Sequence, residues 1–428
     1  MKVTHSTPAA PAPGKALPFT RYQVFIIAVL ALLQFTIILD FMVLSPLGAQ
    51  LMRELRITPN QFGWVVSAYA FSAGAAGLLA AGFADHFDRK QLLLFFYAGF
   101  GLGTLLCGLA PDYAFLLAAR IITGLFAGVI GAVSFAIVTD LFPLQQRGRV
   151  MGVVQMAFAV SQVMGIPLSL YLANAWGWQA PFRLIVGVSA LVGVAIALFM
   201  RPVRAHLHLQ GDRSALGHLA RILANPHYLK GIAAITLLAT GGFMLMPFAS
   251  AFTVHNLGVP LEHLPTLYLL TGVSAMIAGP LAGKLSDRSG AYRVFCGGSV
   301  LALTLIALYC HLGVSPFWLV VLANVIMSAG ITARMIAAST LMTAVAAPGD
   351  RGAYLSLQSS VQQLSGGLAS VLAGLIVVQT DGGSLHHYDT LGNVVVGTTL
   401  LSIGMMYVIN RSIRRQVLAA ARPPMEHA

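Results

Sequence analysis

Long apolar stretches, separated by short polar segments, run through the chain from residue 22 to residue 411. A helix needs about 20 mostly apolar residues to cross a bilayer, and twelve stretches have about this length. This pattern predicts an all-α membrane protein with twelve transmembrane helices. The first six stretches are 22–45, 61–83, 92–110, 113–139, 148–173 and 181–200, and the second six are 229–254, 265–285, 294–312, 316–345, 352–378 and 391–411.

One longer polar connection divides the predicted helices into two groups of six. It carries four arginines and four histidines, and the segment before the first helix is rich in Ala and Pro. We therefore expect a disordered cytoplasmic tail, a six-helix bundle, a cytoplasmic linker, a second six-helix bundle and a second cytoplasmic tail. Their ranges are 1–21, 22–200, 201–228, 229–411 and 412–428.

The composition excludes a soluble enzyme. Hydrophobic residues make up 57% of the chain and charged residues 9%, whereas a soluble domain has roughly 25% charged residues. The sequence has no G-x-S-x-G, no H-E-x-x-H and no complete phosphate-binding loop. We expect no enzymatic activity, no cofactor and no metal site, and the three cysteines predict no disulfide framework. Because the sequence has no nucleotide-binding segment, energy for any driven process must come from a gradient or from a partner.

The formal net charge of +12 reflects membrane topology and does not indicate a nucleic-acid partner. If the N-terminus is cytoplasmic, the tails and alternate connections on that side hold twenty Lys and Arg, and the other side holds Arg53, Arg56 and Arg183. Lys and Arg are in excess on the cytoplasmic side of membrane proteins. The sequence predicts cytoplasmic N- and C-termini and a bacterial-type cytoplasmic (inner) membrane as the location.

The two groups of helices carry the same charged landmarks. Asp85 and Asp287 follow the second helix of each group and are 202 residues apart, and Arg147 and Arg351 precede the fifth helix of each group, 204 residues apart. Matching offsets predict a duplicated six-helix unit. Duplicated transporters usually hold their substrate between the halves, near the bilayer midplane.

These landmarks resemble the major facilitator superfamily, whose signature between helices 2 and 3 is Gly-x-Leu-Ala-Asp-Arg-x-Gly-Arg-Arg. The second copy, residues 283–290, fits it well, and the first copy keeps Asp85, Arg89 and Lys90. Within the superfamily the chain looks most like the twelve-helix drug/proton antiporter and metabolite-efflux group. That placement rests on Leu39-Asp40-Phe41-Met42, Arg120-x-x-x-Gly124 and Gly177-Trp178-Gln179, whereas the antiporter signature of helix 5 is only partly kept.

The resemblance implies a gate at the cytoplasmic end. Asp85 is expected at the start of helix 11 near Gly352, Arg89 is expected to pair with Asp140, and pseudo-symmetry places Asp287 near the start of helix 5. A helix N-terminus attracts a carboxylate because it carries about half a positive charge. The expected gating residues are Asp85, Arg89, Asp140, Arg147, Asp287, Arg288 and Arg351.

Three charged residues lie well inside apolar stretches: Asp40, Arg120 and Arg334. A charge near the centre of a membrane helix costs roughly 2.5–3.5 kcal/mol on insertion scales. At 1.5 Å per residue, Asp40 and Arg120 lie roughly 15 and 10 Å from the outer ends of their helices, a difference of about one helical turn. We expect them to form the proton-coupling pair, and a static ion pair is the alternative.

Arg334 has no counterpart in the first half and no intramembrane acid to pair with. We expect it to face the central cavity and bind an anionic or polar substrate, with hydrogen bonding to helix carbonyls as the alternative. His255 is a further titratable candidate. Other expected cavity residues are aromatic, amide or Met side chains: Gln34, Phe35, Phe41, Tyr69, Phe158, Gln162, Phe243, Met244 and Met246.

Together these features predict a secondary active transporter. The favoured activity is proton-coupled efflux of a small organic molecule, such as a drug, sugar or metabolite, by alternating access. A proton-independent uniporter or importer of a small metabolite is the alternative. The expected partners are the substrate, protons and the lipid bilayer, and a monomer suffices for this architecture.

Overall fold

The computed structural model describes residues 19–83, 86–204, 222–346, 351–380 and 383–420. Most of the predicted N-terminal tail, most of the predicted linker and the end of the C-terminal tail lie outside these ranges. Asp85 also lies outside them.

In the first half, the described residues form eight α-helices. The fifth predicted crossing is formed by two of them, α6 and α7, which are joined by a π-helical turn at Ser161–Gly165. A short helix, α2, continues the first crossing. The helices are α1 (Arg21–Val43), α2 (Gly48–Glu54), α3 (Pro59–Phe83), α4 (Arg89–Leu109), α5 (Tyr113–Leu141), α6 (Leu144–Val160), α7 (Ile166–Trp176) and α8 (Ala180–Phe199).

In the second half, the residues from 226 onward that the structure describes form seven α-helices and one short hairpin. The helices α9 and α10 form the seventh crossing and are joined by a 3-10 turn at Met246–Phe248. The hairpin pairs β1 (Val378–Gln379) with β2 (Leu385–His386) in antiparallel register. The helices are α9 (Pro226–Leu245), α10 (Ala249–His255), α11 (Leu264–Ser289), α12 (Ala291–Tyr309), α13 (Phe317–Val345), α14 (Arg351–Ile376) and α15 (Tyr388–Ala420).

The structure confirms the prediction of an all-α membrane fold. Within the described residues, eleven helices or joined helices are long and apolar enough to cross a membrane. The remaining predicted crossing, 352–378, is α14, which is richer in Ser and Gln than the other eleven. It packs against α3 and α9, so its polar residues lie among protein side chains. This position explains why a crossing helix is less apolar than its neighbours.

Side-chain caps fix where several helices begin. Thr20 and Gln23 form a capping box at the start of α1, and Asp112 and Asn225 accept backbone N–H bonds at the starts of α5 and α9. Such caps satisfy donors that have no partner within the helix. The last helix extends to Ala420, beyond the predicted boundary at residue 411, because the polar segment after the membrane continues in helical conformation.

The two ends of the bundle differ in charge. We call the end where α1 begins the basic end, because Arg89, Lys90, Arg147, Arg201 and Arg204 lie there; the other is the opposite end.

The two halves are joined toward the opposite end. The Ser67 hydroxyl donates to the carbonyl of Gly367 at 2.7 Å, and the Ser250 hydroxyl donates to the carbonyl of Ser45 at 2.9 Å. The Asn174 amide donates to the carbonyl of Leu261 at 3.2 Å. These bonds close the bundle at the opposite end.

Two glycines allow α5 to approach α3 closely. A Cβ atom added at Gly124 meets the carbonyl oxygen of Tyr69 at 2.5 Å, and one added at Gly128 meets the carbonyl oxygen of Ala73 at 2.1 Å. Backbone atoms cannot move aside as a flexible side chain can. Small residues at membrane helix interfaces permit this close packing, which places Arg120 of α5 beside Tyr69 of α3.

At the basic end, Asp88 fastens the start of α4 to the segment after α8. Its carboxylate accepts from the backbone N–H of Lys90 at 2.9 Å, from the backbone N–H of Val203 at 3.1 Å and from Arg204 Nε at 2.7 Å. Burial alone raises the pKa of Asp88, but the hydrogen bonds from Arg204, Val203 and Lys90 outweigh it and hold the pKa below its ordinary value.

Asp88→Ala is expected to lower the free energy of unfolding by about 1–3 kcal/mol, the usual effect of removing hydrogen bonds to a charged group. Because the pKa is lower in the folded state, this stabilisation is complete above the unfolded-state pKa of about 3.9 and is lost as the pH falls through the folded-state value. The difference in melting temperature between the wild type and Asp88→Ala should therefore be larger at about pH 6 than at about pH 3. An equal difference at both pH values contradicts the role of the ionised carboxylate.

Candidate functional site

A buried ion pair lies inside the first half. Arg120 Nη1 donates to Asp40 Oδ2 at 2.8 Å, and both side chains are fully buried. The Thr104 hydroxyl donates to Asp40 Oδ1 at 3.2 Å. The pair joins α1 to α5, and Thr104 adds α4. Counting residues from the outer ends of the helices therefore correctly predicted that Asp40 and Arg120 lie at nearly the same depth, within reach of each other.

Tyr69 of α3 covers this ion pair. The guanidinium carbon of Arg120 lies 4.4 Å from the centroid of the Tyr69 ring. A cation over an aromatic face is attracted by the ring quadrupole by about 0.5–2 kcal/mol. Arg120 Nε and Nη2 have no hydrogen-bond partner, so the ring and one carboxylate oxygen are the main stabilising contacts of this charge.

A cavity of about 160 Å³ lies between the two halves. Tyr69 and Gln34 line it, and Gln34 lies on α1 between Asp40 and the basic end of the bundle. Tyr69 thus contacts the ion pair and also forms part of the cavity wall. Among the residues that the structure describes, no charged side chain lines the cavity. Its lining residues are Gln34, Ile37, Tyr69, Ala73, Gly77, Ala127, Gly128, Gly131, Ser359, Ser360 and Gln363.

Aromatic rings connect the two halves beside the cavity. The ring of Phe41 lies 5.3 Å from that of Tyr69 and 5.8 Å from that of Phe243, centroid to centroid. Phe243 packs against the backbone of Gly366, where an added Cβ would come within 2.9 Å of the ring. This contact links α1, α3, α9 and α14.

Several expected substrate residues lie outside the cavity lining. Phe158 is 50% exposed, and the carbonyl of Phe35 accepts a hydrogen bond from Ser161 at 3.3 Å. The backbone of Gln162 packs against Gly272 of α11, and Met246 accepts a hydrogen bond from Ser45 at the opposite end. Phe243 takes part in the aromatic contact described above.

Three cavity residues were not among the sequence candidates: Ser359, Ser360 and Gln363, all on α14. The signal that points to them is the run Gln358-Ser359-Ser360 followed by Gln362-Gln363 inside a membrane helix. Polar residues in such helices usually face the bundle interior or a water-filled cavity.

Arg334 corrects an expectation. It does not line the cavity described above; its Nη1 donates to the Thr399 hydroxyl of α15 at 3.2 Å. Residue spacing gives the depth of Arg334 along α13 but not the side of the helix from which it points. In the folded chain that side faces the interior of the second half.

Part of the expected gate is present at the basic end. Arg89 Nε lies 3.3 Å from Asp140 Oδ2, as predicted. Arg147 donates to the carbonyls of Thr139 at 2.7 Å and Phe142 at 2.9 Å, which lie at the end of α5. A cation near helix C-terminal carbonyls is favourable, so Arg147 stabilises the turn between α5 and α6.

The other expected gating residues are not brought together. Asp287 and Arg288 are exposed on the last turn of α11, and no hydrogen bond or ion pair within the described part of the chain involves them. The predicted contact of Asp287 with the start of α6 is not formed by such bonds in this conformation. Arg351 begins α14, but its side chain, like Asp85, lies outside what the structure describes.

Comparisons with known proteins agree with this architecture. The sequence profile of the Major Facilitator Superfamily matches residues 30–370 and 231–416. The uncharacterized MFS-type transporter YceJ of Bacillus subtilis (strain 168) is 25% identical over 91% of this chain and 97% of its own length. The chloramphenicol efflux pump Rv0191 of Mycobacterium tuberculosis (strain ATCC 25618 / H37Rv) is 28% identical over 61% of this chain and 63% of its own length.

A solved structure shares the fold. It is a bacterial homolog of the human lysosomal transporter Spinster in an inward-facing and unoccupied conformation. The TM-score is 0.74 at 16% identity, over 93% of this chain and 99% of that chain. With the family profile covering most of the sequence and the helices arranged as in a solved transporter, this chain belongs to the Major Facilitator Superfamily and is a membrane transporter.

Proposed function

We propose that this chain is a proton-coupled exporter of small, neutral, polar organic molecules that works by alternating access. One observation carries the proposal. The buried Asp40–Arg120 pair is separated from the cavity by the ring of Tyr69, which contacts Arg120 and lines the cavity. A protonatable group is thereby placed where a ligand in the cavity can influence it.

In the proposed cycle, a proton and the substrate compete through Tyr69. With the cavity open to the cytoplasm, a bound substrate holds the Tyr69 ring against Arg120. This contact favours the ion pair, so Asp40 releases its proton to the cytoplasm. After the change of access the substrate leaves on the other side, the ring moves away and Asp40 takes up a proton from that side. Protonation removes the charge that holds Arg120, so α1 and α5 can shift relative to one another and return the cavity to the cytoplasm. A static ion pair sealed from the cavity on all sides provides no such connection.

The cavity lining supports a neutral, polar substrate. Gln34 and Gln363 offer amide donors and acceptors, and Ser359 and Ser360 offer hydroxyl groups. The described part of the lining has no charge to compensate an ionised substrate, and burying an unpaired charge is costly. The ring of Tyr69 adds an apolar face against which an aromatic or alicyclic group can stack.

The conformation and the charge distribution support the direction of access. The halves are joined by hydrogen bonds toward the opposite end, and the cavity lies on the basic-end side of the ion pair. Because basic residues concentrate on the cytoplasmic side of membrane proteins, we propose that the basic end faces the cytoplasm of a bacterial inner membrane. The cavity then receives substrate from the cytoplasm. In this orientation both termini lie on the cytoplasmic side. We propose that the chain acts as a monomer.

Two further points support export. A relative that matches 61% of this chain is a chloramphenicol efflux pump, and chloramphenicol is a neutral, polar aromatic compound. A proton entering the cytoplasm gains about 2.3 kcal/mol per 100 mV of membrane potential, while tenfold accumulation costs about 1.4 kcal/mol. One proton per cycle therefore suffices for tenfold export of a neutral molecule.

The test uses inverted membrane vesicles that contain the protein and are energised to acidify their interior. Labelled chloramphenicol is the first probe, followed by other neutral polar compounds. We expect accumulation that a protonophore abolishes and that vesicles without the protein do not show. Transport that only equilibrates the probe and is unaffected by the protonophore contradicts proton coupling and supports the alternative of a uniporter.

A further inference from the structure

The interior of the second half contains a cation without a counter-charge. Arg334 is 4% exposed, and its Nη1 donates to the Thr399 hydroxyl at 3.2 Å. Its Nε and Nη2 have no hydrogen-bond partner. Within the described part of α9–α15 and their connections the acidic residues are Glu262, Asp287 and Asp389, and all three are exposed. Arg334 therefore forms no ion pair there.

Two buried hydroxyl groups without partners lie at the same level of the bundle. Ser299 on α12 and Ser402 on α15 are both 0% exposed, and neither Oγ has a hydrogen-bond partner. Two contacts set the register between α12 and α15. A Cβ atom added at Gly392 of α15 would lie 2.7 Å from Cys310, which follows the last residue of α12. Toward the other end of the pair, the ring centroids of Tyr292 of α12 and Tyr407 of α15 are 5.9 Å apart. In an antiparallel pair with this register, Ser299 lies opposite the helical turn that contains Ser402.

Arg334 of α13 lies beside both of these segments, the part of α12 around Ser299 and the turn of α15 that contains Ser402. An added Cβ at Gly298 would come within 2.9 Å of the backbone nitrogen of Arg334, so α12 approaches α13 at this residue. Thr399 is 0% exposed and lies almost one turn before Ser402 on α15. Arg334, Ser299, Thr399 and Ser402, which we call the Arg334 cluster, thus meet where α12, α13 and α15 pack together.

The chemistry of the cluster is that of an anion site. Guanidinium N–H and hydroxyl O–H groups are donors, and a guanidinium does not lose its proton in proteins. A buried charge without a partner is strongly unfavourable. Water bridging the cluster would satisfy its hydrogen bonds but leave the charge uncompensated, whereas an anion does both. We propose that the Arg334 cluster binds a small inorganic monovalent anion of the halide class.

This site differs from the cavity proposed for the substrate. None of the four cluster residues lines that cavity, which lies between the halves. The anion is held inside the second half, where it ties α13 to α12 and α15. Anion binding therefore stabilises the folded protein by mass action. Once the anion concentration exceeds the dissociation constant, the stabilisation rises with the logarithm of that concentration.

The test uses the full-length protein purified in detergent and dialysed into sodium gluconate. Sodium chloride or sodium bromide replaces gluconate stepwise at constant ionic strength, and the melting temperature is recorded. We expect a rise of at least about 3 °C with chloride and with bromide, which continues with the logarithm of halide concentration above the dissociation constant. Equal melting temperatures in gluconate, chloride and bromide overturn the proposal and leave the cluster bridged by water.

Variants assign the effect to the cluster. Ser402→Ala removes one donor with little change in volume, and we expect the halide concentration that raises the melting temperature by a given amount to increase about tenfold. Arg334→Met should abolish the halide response. Arg183→Met, which changes an exposed arginine at the opposite end, should keep the wild-type response. A halide response that is unchanged in Ser402→Ala overturns the assignment, even if Arg334→Met does not fold.

Discussion

Asp40→Asn is expected to abolish gradient-driven accumulation of the transported compound in energised vesicles, a loss of at least about tenfold. The amide has nearly the shape of a protonated carboxyl group but cannot release a proton. The variant should retain exchange of labelled for unlabelled compound, because exchange needs the change of access but no net proton movement. Retained exchange also shows that the protein is folded in the membrane.

The control for this variant is Asp389→Asn, which makes the same change at an exposed position in the first turn of α15. Accumulation in this control should equal that of the wild type. If Asp40→Asn vesicles accumulate the compound normally, the coupling proton is carried elsewhere, and His255 and Asp140 become the leading candidates.

The second large effect concerns the stability of the ion pair. Asp40→Asn leaves Arg120 buried without its counter-charge, and removing one partner of a buried pair costs about 3–5 kcal/mol. Arg120→Gln should cost less, because the carboxyl group of Asp40 can take up a proton whereas a guanidinium cannot lose one. The double variant Asp40→Asn/Arg120→Gln removes both charges and should recover most of the loss.

Melting temperatures of the four proteins in detergent give the coupling between the two positions. We expect the double variant to melt well above Asp40→Asn, and the penalties to be strongly non-additive, as in a directly interacting pair. Additive penalties show that Asp40 and Arg120 do not stabilise each other, and they remove the basis of the proposed coupling.

Residue spacing was sufficient to predict the features that depend on depth in the membrane. The apolar stretches gave the crossing helices, and counting residues from their ends placed Asp40 and Arg120 at nearly the same level. The pairing of Arg89 with Asp140 came from the resemblance to the family and is present in the structure. In each case the position along the helix axis determines the contact.

Features that depend on rotation about the helix axis were predicted less well. Arg334 and Phe158 lie on membrane helices as expected, yet one points into the second half and the other is exposed. An almost uniformly apolar helix has no polar face to indicate which side packs inward, so its rotation is set by neighbours distant in sequence. Ser359, Ser360 and Gln363 of α14 were not predicted either, although the polar run around them marks the side of this helix that faces the cavity.

The interruptions in two crossings also depend on tertiary structure. The π turn at Ser161–Gly165 lies where the backbone of Gln162 meets Gly272 of α11. Ser45 and Phe62 of the first half contact the 3-10 turn at Met246–Phe248 itself. Pro167 and Pro247 are visible in the sequence near both interruptions, but the contacts between the halves are formed by residues separated by a hundred positions or more.

The central claim is that Asp40 binds and releases the transported proton. Infrared difference spectroscopy of the purified protein, recorded between acidic and alkaline pH, tests it without a substrate. We expect a C=O stretching band of a protonated carboxyl group that grows as the pH falls, is present in Asp389→Asn and is missing from Asp40→Asn. A band of undiminished intensity in Asp40→Asn contradicts the claim.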